Sequence, residues 1–315
     1  MGNQNSKVSS LYQLVGDAHV AQKQFQKGLI HYQKAFSSVA TGFNDTLHLF
    51  SNPTIQQLDN KPMSLRIARK KAQVFTQAFH HNQKRVDYLK YSLATYLYAI
   101  ELIDDIASGY TQESARAELE KDSRAIYNEG INVAYTLYSK TNDTQFIQDA
   151  FLISEKSKAS ILLENIRDVQ AKTLVGVPDS LIERERDFKI ELAYQQSVLH
   201  SAIGKKDSAA ITLQEKNIFE LQQNYNKLKI RLEKNFPSYF NFKYNQADAS
   251  VQRVQQSLDQ FTTLIEFFIG DSSIYKFTIS KTTAAFEKIA ASETLAKQMS
   301  DYERSLTDAD FILNS

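Results

Sequence analysis

The hydrophobic period of this chain changes at Phe236. Upstream, apolar residues recur every three to four positions, the spacing that gives a helix one buried face. Downstream, residues 264–269 form an apolar run broken only by Glu266, and Gly270-Asp271-Ser272-Ser273 has turn chemistry. Residues 274–279 then alternate, with Tyr275, Phe277 and Ile279 on one side and Lys276 and Thr278 on the other. The expectation is a mainly α chain ending in two strands, the first buried on both faces. The chain has only 9 Gly and 4 Pro in 315 residues, which favours long uninterrupted helices. Pro53, Pro62, Pro178 and Pro237 all fall at the element boundaries proposed below.

Residues 9–42 have the pattern of one tetratricopeptide (TPR) unit, a helix–turn–helix of about 34 residues. Tyr12, Val15, Gly16, His19, Phe25, Gly28, Tyr32 and Ala35 fall where that repeat places its large and small residues, with Ala40 where a proline is common. Close helix crossing is expected at Gly16 and Gly28. One such unit cannot bury its faces alone, so neighbours are required. Residues 43–63 interrupt the pattern as a loop or short helix. Residues 64–106 read as a second pair, with Leu65, Ala68, Ala72, Phe75 and Phe79 facing Tyr88, Leu89, Ser92, Tyr96 and Ala99. Residues 113–140 and 144–166 read as a third pair.

Residues 178–235 read as an antiparallel coiled hairpin that reverses at Gly204-Lys205-Lys206-Asp207. The seam of its second arm is Ile211, Gln214, Ile218, Leu221, Tyr225, Leu228 and Leu232, three heptads long. Leu181, Glu185, Phe188, Leu192, Gln195 and Leu199 face it, and Ser180 with Glu183 suits a capping box. Two separate coiled coils that dimerise are the alternative arrangement. After the two strands, residues 284–306 suggest a helix covering the sheet, with Ile289, Leu295, Met299 and Tyr302 inward.

Charge and composition exclude several function classes. Lys and Arg number 37 against 36 Asp and Glu, and no segment carries the basic field that nucleic acid or an anionic membrane attracts. There is no cysteine, hence no disulfide, no thiolate metal site and no thiol nucleophile. No apolar run reaches the roughly 18 residues of a membrane helix, so a cytoplasmic location is expected. Met1-Gly2-Asn3-Gln4-Asn5-Ser6 fits the loose myristoylation pattern, but no polybasic second signal follows and a polar start explains it. His80 and His81 are neighbours and point about 100° apart on a helix, which rules out a two-ligand face. His19, His31, His48 and His200 read as packed or solvated. Asp104-Asp105 and Arg69-Lys70-Lys71 read as solvated charge clusters. No metalloprotease, P-loop, nucleophile-elbow, dinucleotide or EF-hand motif occurs, and no cofactor or metal is expected.

Three linked phrases carry a family resemblance. Phe236-Pro237-Ser238-Tyr239 with Lys243-Tyr244 comes first, then the glutamine-bearing segment 251–258, then the hairpin of residues 264–281. In this order they resemble the entry to a CHAT domain, the caspase-like module that follows TPR repeats in many large bacterial proteins. The segment Ala150-Phe151-Leu152-Ile153-Ser154-Glu155-Lys156-Ser157-Lys158-Ala159 resembles the last repeat before the linker in that family.

The resemblance implies three regions. Residues 1–170 would be TPR-like helical repeats, 171–240 a coiled hairpin linker, and 241–315 the first part of a CHAT domain, an incomplete α/β segment. Complete members resemble cysteine peptidases with a histidine base. This chain has no cysteine, and its last histidine, His200, precedes the sheet, so as given it is expected to lack peptidase activity. It reads as the N-terminal part of such a protein or as a shortened copy. The implied function is recognition and regulation: a protein or peptide partner in the repeat groove, with Gln13, Asp17 and Val20 facing it by repeat position. A stand-alone scaffold is the alternative, and self-association through an open C-terminal sheet is a further expectation.

Overall fold

A computed structural model of the chain describes residues 2–46, 48–82, 85–109, 113–158, 177–204, 207–243 and 250–290. The residues group into two compact units: Met1–Tyr127 with Lys156–Asp248, and Asn128–Glu155 with Ala249–Ser315.

The first unit is built of helical pairs. Helices α1 (Gly2–Ala21) and α2 (Phe25–Ser37) form the first, and α3 (Lys61–His81) and α4 (Val86–Gly109) the second. α1 and α2 meet where the sequence places Gly16 and Gly28. A Cβ on Gly28 would stand 2.5 Å from Val20 Cγ2 and 3.3 Å from the Gly16 carbonyl oxygen, so hydrogen is the side chain this crossing admits. α3 starts where Asn60 accepts a hydrogen bond from the Met63 amide and Pro62 occupies the first turn. Ile67, Ala68, Ala72, Phe75 and Phe79 of α3 are buried, as are Leu89, Ser92, Tyr96 and Ala99 of α4. The intervening segment leaves α2 and returns beside it. Ala40 pairs with Leu58, and the Thr41 amide donates to the Gln57 carbonyl at 2.8 Å. Gly42 turns the chain at φ +77°, a conformation that favours glycine.

The same unit holds the coiled hairpin, α7 (Asp179–Gly204) and α8 (Ser208–Asn235), followed by the short α9 (Pro237–Lys243). Tyr225, Leu228 and Leu232 of the expected seam are buried with Leu192, and Leu181, Phe188, Ile218 and Leu221 pack around them. Asp207 caps α8 by accepting from the Ala209 and Ala210 amides. α7 begins at Asp179, with the Leu181 amide bonded to the Pro178 carbonyl, so Ser180 lies inside the first turn and not at the cap. The aromatic phrase after the hairpin has a packing role. Phe236, Tyr239 and Phe240 close the end of the seam, and the Tyr239 hydroxyl donates at 2.8 Å to Glu185, which is 1% exposed.

The second unit corrects three expectations. α5 (Glu113–Thr141) contributes its residues from Asn128 onward, α6 (Gln145–Lys156) follows, and α10 (Val251–Ser257) leads into the sheet. Among the described residues the sheet has three antiparallel strands in the order β1 (Thr263–Ile269), β2 (Ser273–Ser280), β3 (Ala284–Ala290), which makes β1 an edge. Residues 284–290, expected to be helical, are therefore a strand; the rest of that expected helix lies outside the described residues. β1 is an edge strand with Ile265, Phe267 and Ile269 half exposed, so it is not buried on both faces. The cover expected from residues 284–306 is supplied, among the described residues, by α5 and α6. Tyr275, Phe277 and Ile279 turn towards α5 and α6, where Phe277 meets Phe151 edge-on at 5.6 Å and Tyr135 meets Phe286 at 5.3 Å. Phe277 and Phe286 stack at 4.6 Å across β2 and β3. Polar bonds fix the register: Tyr275 to Asn132 at 2.9 Å, Ser154 to Glu266 at 2.7 Å, and the Val251 amide to Gln148 at 2.9 Å. Residues 159–166 of the expected third pair lie outside the described residues.

Two substitutions test these packings. Gly28→Leu is expected to force α1 and α2 apart at a cost of roughly 1–3 kcal/mol, read as a lower melting temperature. An unchanged melting curve would place the crossing elsewhere. Measured at dilutions that keep the chain monomeric, Phe277→Ala is expected to cost about 3–5 kcal/mol, whereas Phe267→Ala, one strand away on the open face, stays within about 0.5 kcal/mol. Equal losses in chemical denaturation would remove the assignment of faces.

Candidate functional site

The three residues placed in a groove by repeat position lie on α1. Gln13 is 4% exposed, and its buried Nε2 has no hydrogen-bond partner among the described residues. Asp17 accepts a short hydrogen bond from the Tyr32 hydroxyl and pairs with Lys70 Nζ at 2.5 Å. Burial, then the bond to Asp17, pushes the Tyr32 phenol well above its ordinary range. Val20 packs over Gly28. The three thus share one side of α1, and all are engaged within the chain or buried by it.

The opposite side of α1 is different. Val8, Leu11, Leu14 and Val15 are between 42% and 63% exposed. Positions 8, 11, 15 and 18 follow the three-four spacing with which one helix receives another. At one end of this stripe, Ser6, Lys7, Ser10, Leu11 and Met63 line a shallow open cleft of about 440 Å³. Backbone groups in the middle of a helix are already paired, so this stripe offers side-chain contact alone.

A polar cluster centred on Lys71 of α3 joins α2, α3 and the loop between them. Its Nζ donates to Gln33 Oε1 at 2.8 Å, the Ser51 carbonyl at 2.6 Å and Asn52 Oδ1 at 3.0 Å, and sits 5.6 Å from the Phe36 ring. Gln33 Nε2 in turn donates to the Asp45 carbonyl at 2.7 Å and to Ser51 Oγ at 2.9 Å. Phe50 stacks on Tyr91 of α4 at 5.1 Å. Lys71 is fully buried, which corrects its reading as part of a solvated cluster. A signal for this existed in the sequence: Lys71 lies four residues from both Ile67 and Phe75, on the apolar face of α3. Burial pushes its ammonium down to about 7, while Asp45 opposes the shift. The amine has three acceptors and no route to solvent, so its chemistry is that of a staple and not of a nucleophile.

Asp45, His48 and Ser51 bring the residue types of a hydrolytic triad into one loop. Their connections differ from a triad. Ser51 Oγ donates to Asp45 Oδ2 at 2.7 Å, and His48 Nδ1 lies 3.0 Å from Asp45 Oδ1, so the carboxylate and not the imidazole sits in the middle. Among the described residues no imidazole faces the serine hydroxyl, and the cluster works as a loop clamp. The Ser51 hydroxyl, then the His48 amide, holds the Asp45 carboxyl down at about 2. Elsewhere His19 and His31 stack at 5.1 Å; burial first, then the charges of His19 and Lys34, lowers the His31 pKa. Among the described residues no group of three or more His, Cys, Asp or Glu could hold a metal ion, and no helix is long and apolar enough to cross a membrane. No family model, curated protein or solved structure matches the chain.

The Lys71 staple has a pH signature. A lysine whose folded pKa lies below its unfolded value binds fewer protons when folded, so its contribution to stability rises with pH between the two values. The difference in melting temperature between the wild type and Lys71→Met is expected to grow in favour of the wild type from about pH 7 to about pH 10. A difference that stays flat or shrinks over that range would show that the three acceptors hold the ammonium charged throughout.

Proposed function

We propose that this chain is the protein-interaction and regulatory region of a TPR–CHAT protein, in which stacked helical pairs bind a protein or peptide partner and a coiled hairpin positions a caspase-like module. The observation that carries the binding half is the exposed stripe Val8, Leu11, Leu14 and Val15 on α1. Its spacing suits an amphipathic helix laid along α1. Gln13, Asp17 and Val20 remain candidates by repeat position, but Asp17 reaches a partner only by giving up Lys70. The positioning half rests on the hairpin seam, which ends in the aromatic phrase that resembles the family's linker.

The alternative, a stand-alone helical scaffold with a vestigial CHAT end, is favoured by one observation. The sheet already has an aromatic cover from α5 and α6 and does not wait for later strands to give it a core. Reading the gene past the codon for Ser315 separates the two: an in-frame continuation carrying His and Cys supports the regulatory region, and a stop supports the scaffold.

Panning a library of amphipathic helical peptides on the purified chain tests the binding surface. Enriched sequences are expected to carry apolar residues at three-four spacing. The double variant Leu11→Glu, Leu14→Glu is expected to lose them at an unchanged melting temperature, since both side chains are 63% exposed. Undiminished binding by that variant would sink the α1 surface.

A further inference from the structure

The edge strand β1 combines three properties that no other described element shares. Its free side is not guarded. The opposite edge of the sheet carries Glu287 and Lys288, charges of the kind that deter strand pairing, whereas the outward side chains of β1 are Ile265, Phe267 and Ile269. Among the described residues its backbone is also unpaired on that side. The Gly270 amide donates to the Ser273 carbonyl at 2.9 Å, and pairs alternate along an antiparallel ladder. Phe268 with Tyr275, Glu266 with Phe277 and Leu264 with Ile279 are therefore the mutually bonded pairs. The N–H and C=O groups of Ile265, Phe267 and Ile269 point to the open edge, where they meet no partner among the described residues. The same three residues are 56%, 52% and 50% exposed, on the face away from α5 and α6.

The third property is self-complementarity. Two copies of β1 run antiparallel about a two-fold axis, and the axis residue decides what faces what. An axis at Glu266, which overlaps the strands most, sets one carboxylate opposite its copy and is unfavourable. An axis at Ile265 leaves Ile269 opposite Phe261, which lies outside the strand. An axis at Phe267 sets Phe267 against Phe267 and each Ile265 against the other copy's Ile269, while Glu266 faces Phe268. In that register every outward apolar side chain of the strand meets another, and every outward backbone group between 265 and 269 finds a partner.

We propose that the second unit is a homodimerisation module. β1 pairs with β1 of a second copy about Phe267, making one six-stranded antiparallel sheet with an isologous interface. The inference is independent of the partner site on α1, since it uses no residue of the helical pairs α1 to α4.

The absence of native cysteine allows a direct test on the full chain. Bonded antiparallel partners stand about 5.5 Å apart between Cα atoms, within disulfide range. Ile265→Cys and Ile269→Cys proteins, each oxidised alone, are expected to stay uncross-linked, and an equimolar mixture to give a covalent dimer. A dimer from Ile265→Cys alone, or none from the mixture, overturns the register. Sedimentation of the wild type is expected to show a reversible dimer. Phe267→Lys sets two ammonium groups opposite each other and should raise the dissociation constant about tenfold or more at an unchanged melting temperature of the monomer. A wild type that remains monomeric, or a Phe267→Lys protein that dimerises as well as the wild type, overturns the proposal.

Discussion

The contact between the sheet and the α5–α6 pair is the constraint on which the second unit depends. A small antiparallel sheet is marginal in water, because it exposes as much surface as it buries. Here Tyr275, Phe277, Ile279 and Phe286 become a core only because Tyr135 and Phe151 stand opposite them. Each fully buried aromatic or aliphatic side chain contributes about 1.5–3 kcal/mol, so four of them are a large share of the stability of a unit this size. The polar bonds from Asn132, Ser154 and Gln148 add less energy but exclude other registers, since a strand slipped by one residue would turn the aromatic set outward. Covering one face leaves the other open, which is why Ile265, Phe267 and Ile269 remain at the surface.

Much of the helical part was legible because period alone specifies it. The seam residues Tyr225, Leu228 and Leu232 and the glycine crossing at Gly16 and Gly28 follow from spacing and side-chain size, which are local properties. The sheet was less legible because its contacts are not local. Residues 284–290 read Ala-Ala-Phe-Glu-Lys-Ile-Ala, good helix formers almost throughout. They form a strand because Phe286 stacks on Phe277, a tertiary contact that overrides propensity. A continuous apolar run such as 264–269 is compatible with a central strand or with an edge whose outer face awaits a partner, and composition does not distinguish them. The cover from α5 and α6 joins residues more than a hundred positions apart, which no window of sequence displays.

The candidate site shows a different failure of local reading. Three basic residues in a row, Arg69-Lys70-Lys71, look like a solvated patch, yet helical geometry sends each to a different side. Lys70 pairs with Asp17, and Lys71 enters the core. A buried amine is tolerated only when its hydrogen bonds are met, and Gln33 of α2, with the Ser51 carbonyl and the Asn52 side chain of the segment that follows, meets them. The inserted loop and the buried lysine therefore explain each other. Without the loop, Lys71 would keep only one of its three acceptors, and without Lys71 the loop would lose one of the two donors that hold its Ser51-Asn52 end.

The two exposed apolar surfaces, taken as the proposed binding sites, would select partners by different physics. The stripe on α1 belongs to a helix with a satisfied backbone, so whatever binds there is chosen by side-chain shape and spacing. Many amphipathic helices can meet that requirement, which suits a recognition surface with exchangeable partners. The edge of β1 offers backbone hydrogen bonds as well, and these are indifferent to sequence. Discrimination at such an edge has to come from register, because the backbone would accept several alignments with nearly equal energy. Glu266 supplies it. Its side chain is held on the covered face by Ser154, so it cannot turn away when a second strand arrives. A carboxylate fixed in the middle of an apolar strand thereby removes the fully overlapped alignment and leaves one offset in which every outward apolar group is matched. The single charge that interrupts the apolar run in the sequence is thus what gives an otherwise permissive edge its specificity.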